Sequence, residues 1–186
     1  MEVYLIRHTE TANEAGLCFG QTDIGVKDSF AEELEELSEK LPELENCRVF
    51  SSPLSRCLQL AKALANEVTT DERLKELYFG DWENVRFDAI DPQALQVWMD
   101  NFATAAPPNG ESFFDLYQRT GEFWQELLNN RVDQVVIITH AGVIRALLAR
   151  VLNMPLESAF QLRIDAGSVN KLRCVDDYVY VEGINL

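Results

Sequence analysis

Val135-Val136-Ile137-Ile138-Thr139, followed at once by His140-Ala141-Gly142, is the stretch on which the fold reading turns. Four β-branched aliphatics in a row leave no polar face, as a strand buried on both sides of a parallel sheet requires. A helical pattern to Leu152 follows, so the unit reads strand, turn, helix. The pattern recurs upstream. Val3 to Ile6 is a short apolar run that stops at Arg7-His8, and Arg48-Val49-Phe50 is a second, broken by Ser51-Ser52-Pro53. Ser52 fits an N-cap and Pro53 a first helical position, opening a helix through about Glu67 with Leu54, Leu58, Ala61, Leu64 and Ala65 on its buried face. Between these two strands Ser29 fits the cap of a helix with Phe30, Leu34, Leu37 and Leu41 on one side, ended by Pro42. Further helices are expected near Gln93 to Phe102 and over Ser112 to Leu128, and further strands over Gln161–Ile164, Val169–Val175 and Tyr178–Val181. Strands alternating with helices predict an α/β fold, a three-layer α/β/α arrangement around a mainly parallel central sheet. A chain of 186 residues suits one domain, residues 1–186.

That architecture predicts where a site lies, because open α/β sheets bind ligands beyond the carboxyl ends of their strands. Three strands end there in Arg7-His8, in Ser51-Ser52 with Arg56 soon after, and in Thr139-His140. The chain has only two histidines, and both follow a predicted central strand. Histidine suits proton or phosphoryl transfer near neutral pH because its neutral form is populated there. One such residue reads as an ordinary hydrogen-bonded turn histidine; two at equivalent strand ends point to chemistry. Arg7 and Arg56 supply guanidinium forks for a phosphoryl dianion and oppose protonation of a nearby imidazole. Gly142, opening a helix, offers backbone N–H donors, although a bare turn glycine explains it equally well. Glu76 lies in an irregular aromatic segment with Tyr78, Phe79 and Trp82, a partly apolar setting that suits a general acid. Composition alone does not single it out among 31 acidic residues.

Composition excludes other classes. A net charge of −15 argues against nucleic acid as a partner, so a phosphate site here is a local concentration of arginine in an acidic protein. No apolar run approaches the roughly 18 residues of a membrane span. The N-terminus lacks the pattern of a secretory signal, which with four cysteines in no C-x-x-C spacing predicts reduced thiols in the cytoplasm. Two histidines without clustered Asp or Cys ligands make a poor metal site, so neither metal nor cofactor is expected.

The motifs resemble those of the histidine phosphatase superfamily. Leu5-Ile6-Arg7-His8-Thr9-Glu10-Thr11 is similar to its R-H-G-x-T motif, and Ser51-Ser52-Pro53-Leu54-Ser55-Arg56-Cys57 to its S-x-L-x-R-A motif. Leu74 to Glu83 resembles the acidic motif, and Thr139-His140-Ala141-Gly142 the second histidine motif. The resemblance implies a phosphoglycerate mutase-like fold and a phosphohistidine formed on His8. It implies further that Arg7, Arg56 and His140 hold the phosphate, that Glu76 protonates the leaving oxygen, and that Asn13, Gly20 and Gln21 line phosphate or substrate. Thr9 replaces the usual glycine, and Asp23 to Asp28 lacks the L-T-x-x-G-x-x-Q-A motif. Within the superfamily, Phe79 to Glu83, Asn109 to Phe113 and Leu152 through Gly167 look like the α-ribazole phosphatases. The implied substrate is a small phosphomonoester, α-ribazole 5′-phosphate or its cobamide form. The alternatives are a broad sugar phosphate or phosphoglycerate phosphatase and a non-catalytic phosphoester- or partner-binding relative, with specificity set by a variable segment at about 82–114.

Overall fold

The computed structural model describes residues 1–44, 47–130 and 132–186. Six strands form one sheet in the order β3-β2-β4-β1-β5-β6: β1 (Glu2–Arg7), β2 (Arg48–Ser51), β3 (Thr69–Thr70), β4 (Gln134–Thr139), β5 (Val169–Val175) and β6 (Tyr178–Gly183). The strand that decides the fold, β4, lies between β1 and β2 and is parallel to both, with Leu5 opposite Ile137 and Phe50 also opposite Ile137. β3 is parallel to β2, whereas β5 and β6 extend the sheet in antiparallel fashion. The sheet is therefore mixed, with its parallel part in the four strands β3 to β1.

The helices cover both faces. Along β1, Val3 and Leu5 point into a core with α4 (Phe113–Asn129) and α5 (Ala141–Val151). Tyr4 and Ile6 point the other way, against α1 (Phe30–Ser38) and α2 (Ser55–Leu64). This period-two division of uniformly apolar strands produces the three layers. α4 begins in a capping box in which Ser112 and Asp115 satisfy each other's backbone donors. α3 (Pro92–Asn101) is capped by Asp91, which accepts from Ala94 N, and packs in a small cluster with Trp82 and Ile90.

Four expectations are corrected. α2 begins at Ser55, not Pro53, and ends at Leu64 rather than near Glu67. Ser52 is not the N-cap, a position held by Leu54; its hydroxyl accepts from His140 at 2.8 Å and, more weakly, from Leu54 N at 3.4 Å ahead of the helix. Ser29 does precede α1, but its hydroxyl donates to Glu33 Oε1 rather than capping the backbone, and the helix stops at Ser38, before Pro42. Gln161–Ile164 is no strand: a 3₁₀ turn over Leu156–Gln161 runs into an extended strap whose carbonyls serve arginine side chains. The two-residue β3 was too short to show in the sequence.

Candidate active site

The carboxyl ends of β1, β2 and β4 bring Arg7-His8, Ser51-Ser52 and Thr139-His140 to one edge, and the ladder continues past the strands to fix them. His8 N donates to Thr139 O at 3.0 Å and Ser52 N to Ile138 O at 2.9 Å, while Gly167 N donates to His8 O at 3.1 Å. The two imidazoles meet edge to face, with ring centroids 5.1 Å apart.

Hydrogen bonds set both tautomers. The Thr9 carbonyl lies 2.7 Å from His8 Nδ1 and can only accept, so Nδ1 carries the proton and Nε2 keeps its lone pair. Burial, reinforced by Arg56 and then Arg7, pushes the His8 pKa down to about 3, against the opposing pull of the Thr9 carbonyl. The ring is therefore neutral and basic at Nε2 throughout the physiological range. Arg56 Nε donates to His140 Nδ1 at 3.3 Å; a guanidinium is only a donor, so His140 carries its proton on Nε2 and donates it to Ser52 Oγ at 2.8 Å. Burial first, then His8 and the surrounding arginines, holds His140 well below the ordinary histidine pKa. Beneath it, Cys57 donates through sulfur to Thr139 O and lies 3.5 Å from His140 Nε2.

Arg56 is fully buried, and its fork is aimed by two carbonyls, Nη2 to Gly20 O at 2.5 Å and Nη1 to Thr22 O at 3.0 Å. Three of its five N–H donors are thus in use and two remain for a ligand. Arg7 Nη1 donates to Ile164 O at 2.8 Å, and its Nε is buried without a partner. Arg145, on α5 one helical turn beyond Ala141, donates through Nε to Leu162 O on the same strap at 2.9 Å. Among the described residues, Arg73, Arg86, Arg119, Arg163 and Arg173 each pair with a carboxylate; of the five that pair with none, Arg48 and Arg150 lie over the Phe50 and Tyr117 rings, and Arg7, Arg56 and Arg145 gather at the strand-end edge. In so acidic a chain, unpaired cations gathered at one edge can take up an anion.

Glu76 faces this group from the N-terminus of α5. Its Oε2 accepts from Gly142 N at 3.1 Å and its Oε1 from Leu77 N at 2.9 Å. The Gly142 donor offered by the sequence to a ligand is thus spent on Glu76. Glycine there lets the carboxylate come this close, since a Cβ would lie 2.2 Å from Glu76 Oε1 and push that side chain away. The backbone of Glu76 is held as firmly: its carbonyl accepts from Gln21 Nε2 and from Arg119 Nη2, and Arg119 is in turn held by Glu111 at 2.6 Å. Gln21 and Gly20 therefore contact the constellation through Glu76 and Arg56. Asn13 is placed less centrally, accepting from Thr11 Oγ1 at 2.6 Å and donating to Glu14 O. Thr9, in place of the usual glycine, is completely buried with its hydroxyl unpartnered.

Sequence reasoning missed Ser52 as the partner of His140, Cys57 beneath that ring, and Arg145. The signal for Arg145 was its helical i, i+4 spacing from Ala141 at the site's helix N-terminus. Glu83, in the same acidic motif as Glu76, is an ionised anchor: its carboxylate accepts backbone N–H groups from Gly20, Gln21, Thr22 and Phe79, and the Thr22 hydroxyl. Those hydrogen bonds hold its pKa below the usual carboxylate range although burial opposes them. A group so held does not surrender a proton to a leaving oxygen. Among the described residues no three His, Cys, Asp or Glu side chains are grouped to hold a metal ion, and no helix is long and apolar enough to cross a membrane. Cys18, Cys47 and Cys57 are free thiols.

A mixed α/β sheet that delivers two neutral histidines and unpaired arginines to its strand ends matches an established family model: residues 3–186 match the histidine phosphatase superfamily, branch 1, and the chain belongs to that family. Among its relatives, the adenosylcobalamin/α-ribazole phosphatase of Escherichia coli (strain K12) is 30% identical over 176 residues, 90% of this chain and 87% of that enzyme. A glucosyl-3-phosphoglycerate phosphatase of Mycolicibacterium vanbaalenii is 32% identical over 170 residues, 83% of this chain and 75% of that enzyme. The crystal structure of the α-ribazole phosphatase from Shigella flexneri superimposes with a TM-score of 0.91 at 28% identity, covering 100% of this chain and 96% of that one.

Proposed function

We propose that this protein is a phosphomonoesterase that forms a phosphohistidine on His8, and that its substrate in the cytoplasm is α-ribazole 5′-phosphate. The observation that carries the mechanism is the His8 ring: neutral, with Nδ1–H committed to Thr9 O and Nε2 free, beside Arg7 and Arg56, which no carboxylate neutralises. Nε2 attacks phosphorus while the free N–H groups of the two arginines take up the charge on the non-bridging oxygens. His140 acts through Arg56, whose Nε it accepts, and through its edge contact with His8. Both of its nitrogens are engaged, so its role is to orient the fork and keep the site desolvated. Glu76 gives a proton to the leaving oxygen, then takes one from the water that attacks the phosphohistidine.

The substrate reading rests on the α-ribazole phosphatase relatives and on the aromatic surroundings of the acidic motif, where Phe79, Trp82 and Trp98 form an edge-to-face chain. The glucosyl-3-phosphoglycerate phosphatase relative favours a second reading, a phosphatase of sugar or glycerate phosphates. A panel of phosphomonoesters separates them. α-Ribazole 5′-phosphate is expected to give the highest kcat/KM; a tenfold preference for 3-phosphoglycerate or a sugar phosphate, about 1.4 kcal/mol of discrimination, assigns the enzyme to the second group.

A further inference from the structure

Glu83 touches no reacting group, yet a continuous hydrogen-bonded path leads from it into the phosphoryl site. Three successive backbone N–H groups, those of Gly20, Gln21 and Thr22, converge on its carboxylate at 2.9–3.1 Å. Such a run of donors is a concave anion nest, stable only around a negative charge. The middle of this nest has a second face. Peptide bonds are planar and trans, so the N–H of Gln21 and the carbonyl of Gly20 belong to one rigid plate and point in opposite directions. The N–H end of that plate is held by Glu83 and the carbonyl end by Arg56 Nη2. Two residues on, the Thr22 carbonyl accepts from Arg56 Nη1 while the Thr22 hydroxyl donates to Glu83. Anion and cation thus grip opposite sides of one loop, with the peptide dipole aligned between them. Glycine is needed at position 20 for the loop to take this path, because a Cβ there would sit 1.8 Å from the Leu77 carbonyl.

We propose that Glu83 is a positioning residue for phosphoryl binding: by fixing the Gly20–Gln21 peptide and Thr22, it aims the Arg56 guanidinium and, through Arg56 Nε, the His140 ring. The inference rests on the reading of Arg56 as a phosphate holder. Removing the charge in Glu83→Gln leaves converging N–H groups without an anion, the plate turns, and Arg56 loses the carbonyls that orient its fork.

The test is a double-mutant cycle read by inhibition with inorganic phosphate and by kcat/KM for p-nitrophenyl phosphate, using wild type, Glu83→Gln, Arg56→Lys and the double variant, with Tm recorded for each. Glu83→Gln is expected to weaken phosphate inhibition at least tenfold, and the double variant to lose no more than threefold beyond Arg56→Lys, because a lysine has no fork for the loop to aim. A lowered Tm with unchanged phosphate affinity, or losses in the double variant that multiply in full, overturns the proposal by giving Glu83 a purely structural role. Unchanged phosphate affinity in Arg56→Lys alone instead overturns the phosphate-site reading beneath it. Thr22→Val removes one bond to Glu83 while sparing the charge, so it answers if Glu83→Gln does not fold: a smaller loss of phosphate affinity, again absent in the Arg56→Lys background, supports the proposal, and no loss overturns it.

Discussion

Acidification should destabilise this protein through His8 by an amount the structure sets. In the unfolded chain the imidazole titrates near the ordinary value of about 6.5. In the fold, burial and two arginines bring it to about 3. Between these values the unfolded chain binds a proton that the folded chain refuses, so stability falls as pH falls, at about half the full slope near 6.5 and at nearly the full slope from about pH 5.5 downward to about 4. At pH 5 the difference amounts to about 2 kcal/mol for this residue alone. His140 acts in the same direction. The carboxylates with depressed pKa values, Glu2, Asp71, Glu83 and the exposed Asp88, act only as pH falls through and below their unfolded values of about 4, outside this window. The perturbation is His8→Asn, whose amide keeps a donor for the Thr9 carbonyl but does not titrate. Wild type should lose about 2 kcal/mol more stability than the variant between pH 7.5 and 5, or about 4–8 °C of Tm for a domain of this size. The assay is thermal or urea unfolding in phosphate-free buffer at both pH values. An equal loss in the two proteins would refute the argument, because it would mean that His8 accepts a proton in the folded state and is not the poised base of the site.

Three further outcomes follow from the geometry. Glu76→Gln is expected to slow phosphorylation of the enzyme by an alkyl phosphate by about 10²–10⁴-fold and by p-nitrophenyl phosphate much less, since a nitrophenolate leaves without a proton; rapid-quench measurement with both substrates decides it, and equal losses remove Glu76 as the acid. Gly142→Ala places a methyl group against Glu76 Oε1 and should cost about 10²-fold in kcat/KM for alkyl phosphates, with p-nitrophenyl phosphate again less affected. Activity should persist through exhaustive EDTA treatment, because in the proposed mechanism arginine N–H groups, not a metal, bind the phosphoryl oxygens; loss of turnover restored by Mg²⁺ or Zn²⁺ would contradict that.

Strand identity was legible where the sequence was extreme. β4 could only be buried on both faces, and from that segment the layer order and the shared strand-end edge followed. The residues at that edge, His8, Arg7, Arg56 and His140, could be named because strand ends converge whatever the side chains do. Less legible was anything decided by a competing hydrogen bond. Ser52 has the chemistry of a helix cap, but its shortest hydrogen bond goes to His140, which arrives from a strand distant in sequence, and α2 starts only at Ser55. Residues 161–164 have strand-like composition, but Arg7 and Arg145 take their carbonyls, so no ladder forms there. Glu83 and Glu76 were separable in the sequence only by family resemblance, whereas in the fold one meets a nest of N–H groups and the other the N-terminus of α5.

The unpaired arginines at the site have a kinetic consequence. A dianionic substrate approaching a chain of net charge −15 is repelled at long range and attracted only within the last few ångströms, where Arg7, Arg56 and Arg145 dominate. Added salt screens the first effect more than the second, because the Debye length falls to about 10 Å at 0.1 M while the arginines lie partly out of solvent. The encounter rate should therefore rise with ionic strength at low salt, opposite to the trend of enzymes that draw their substrates in by charge.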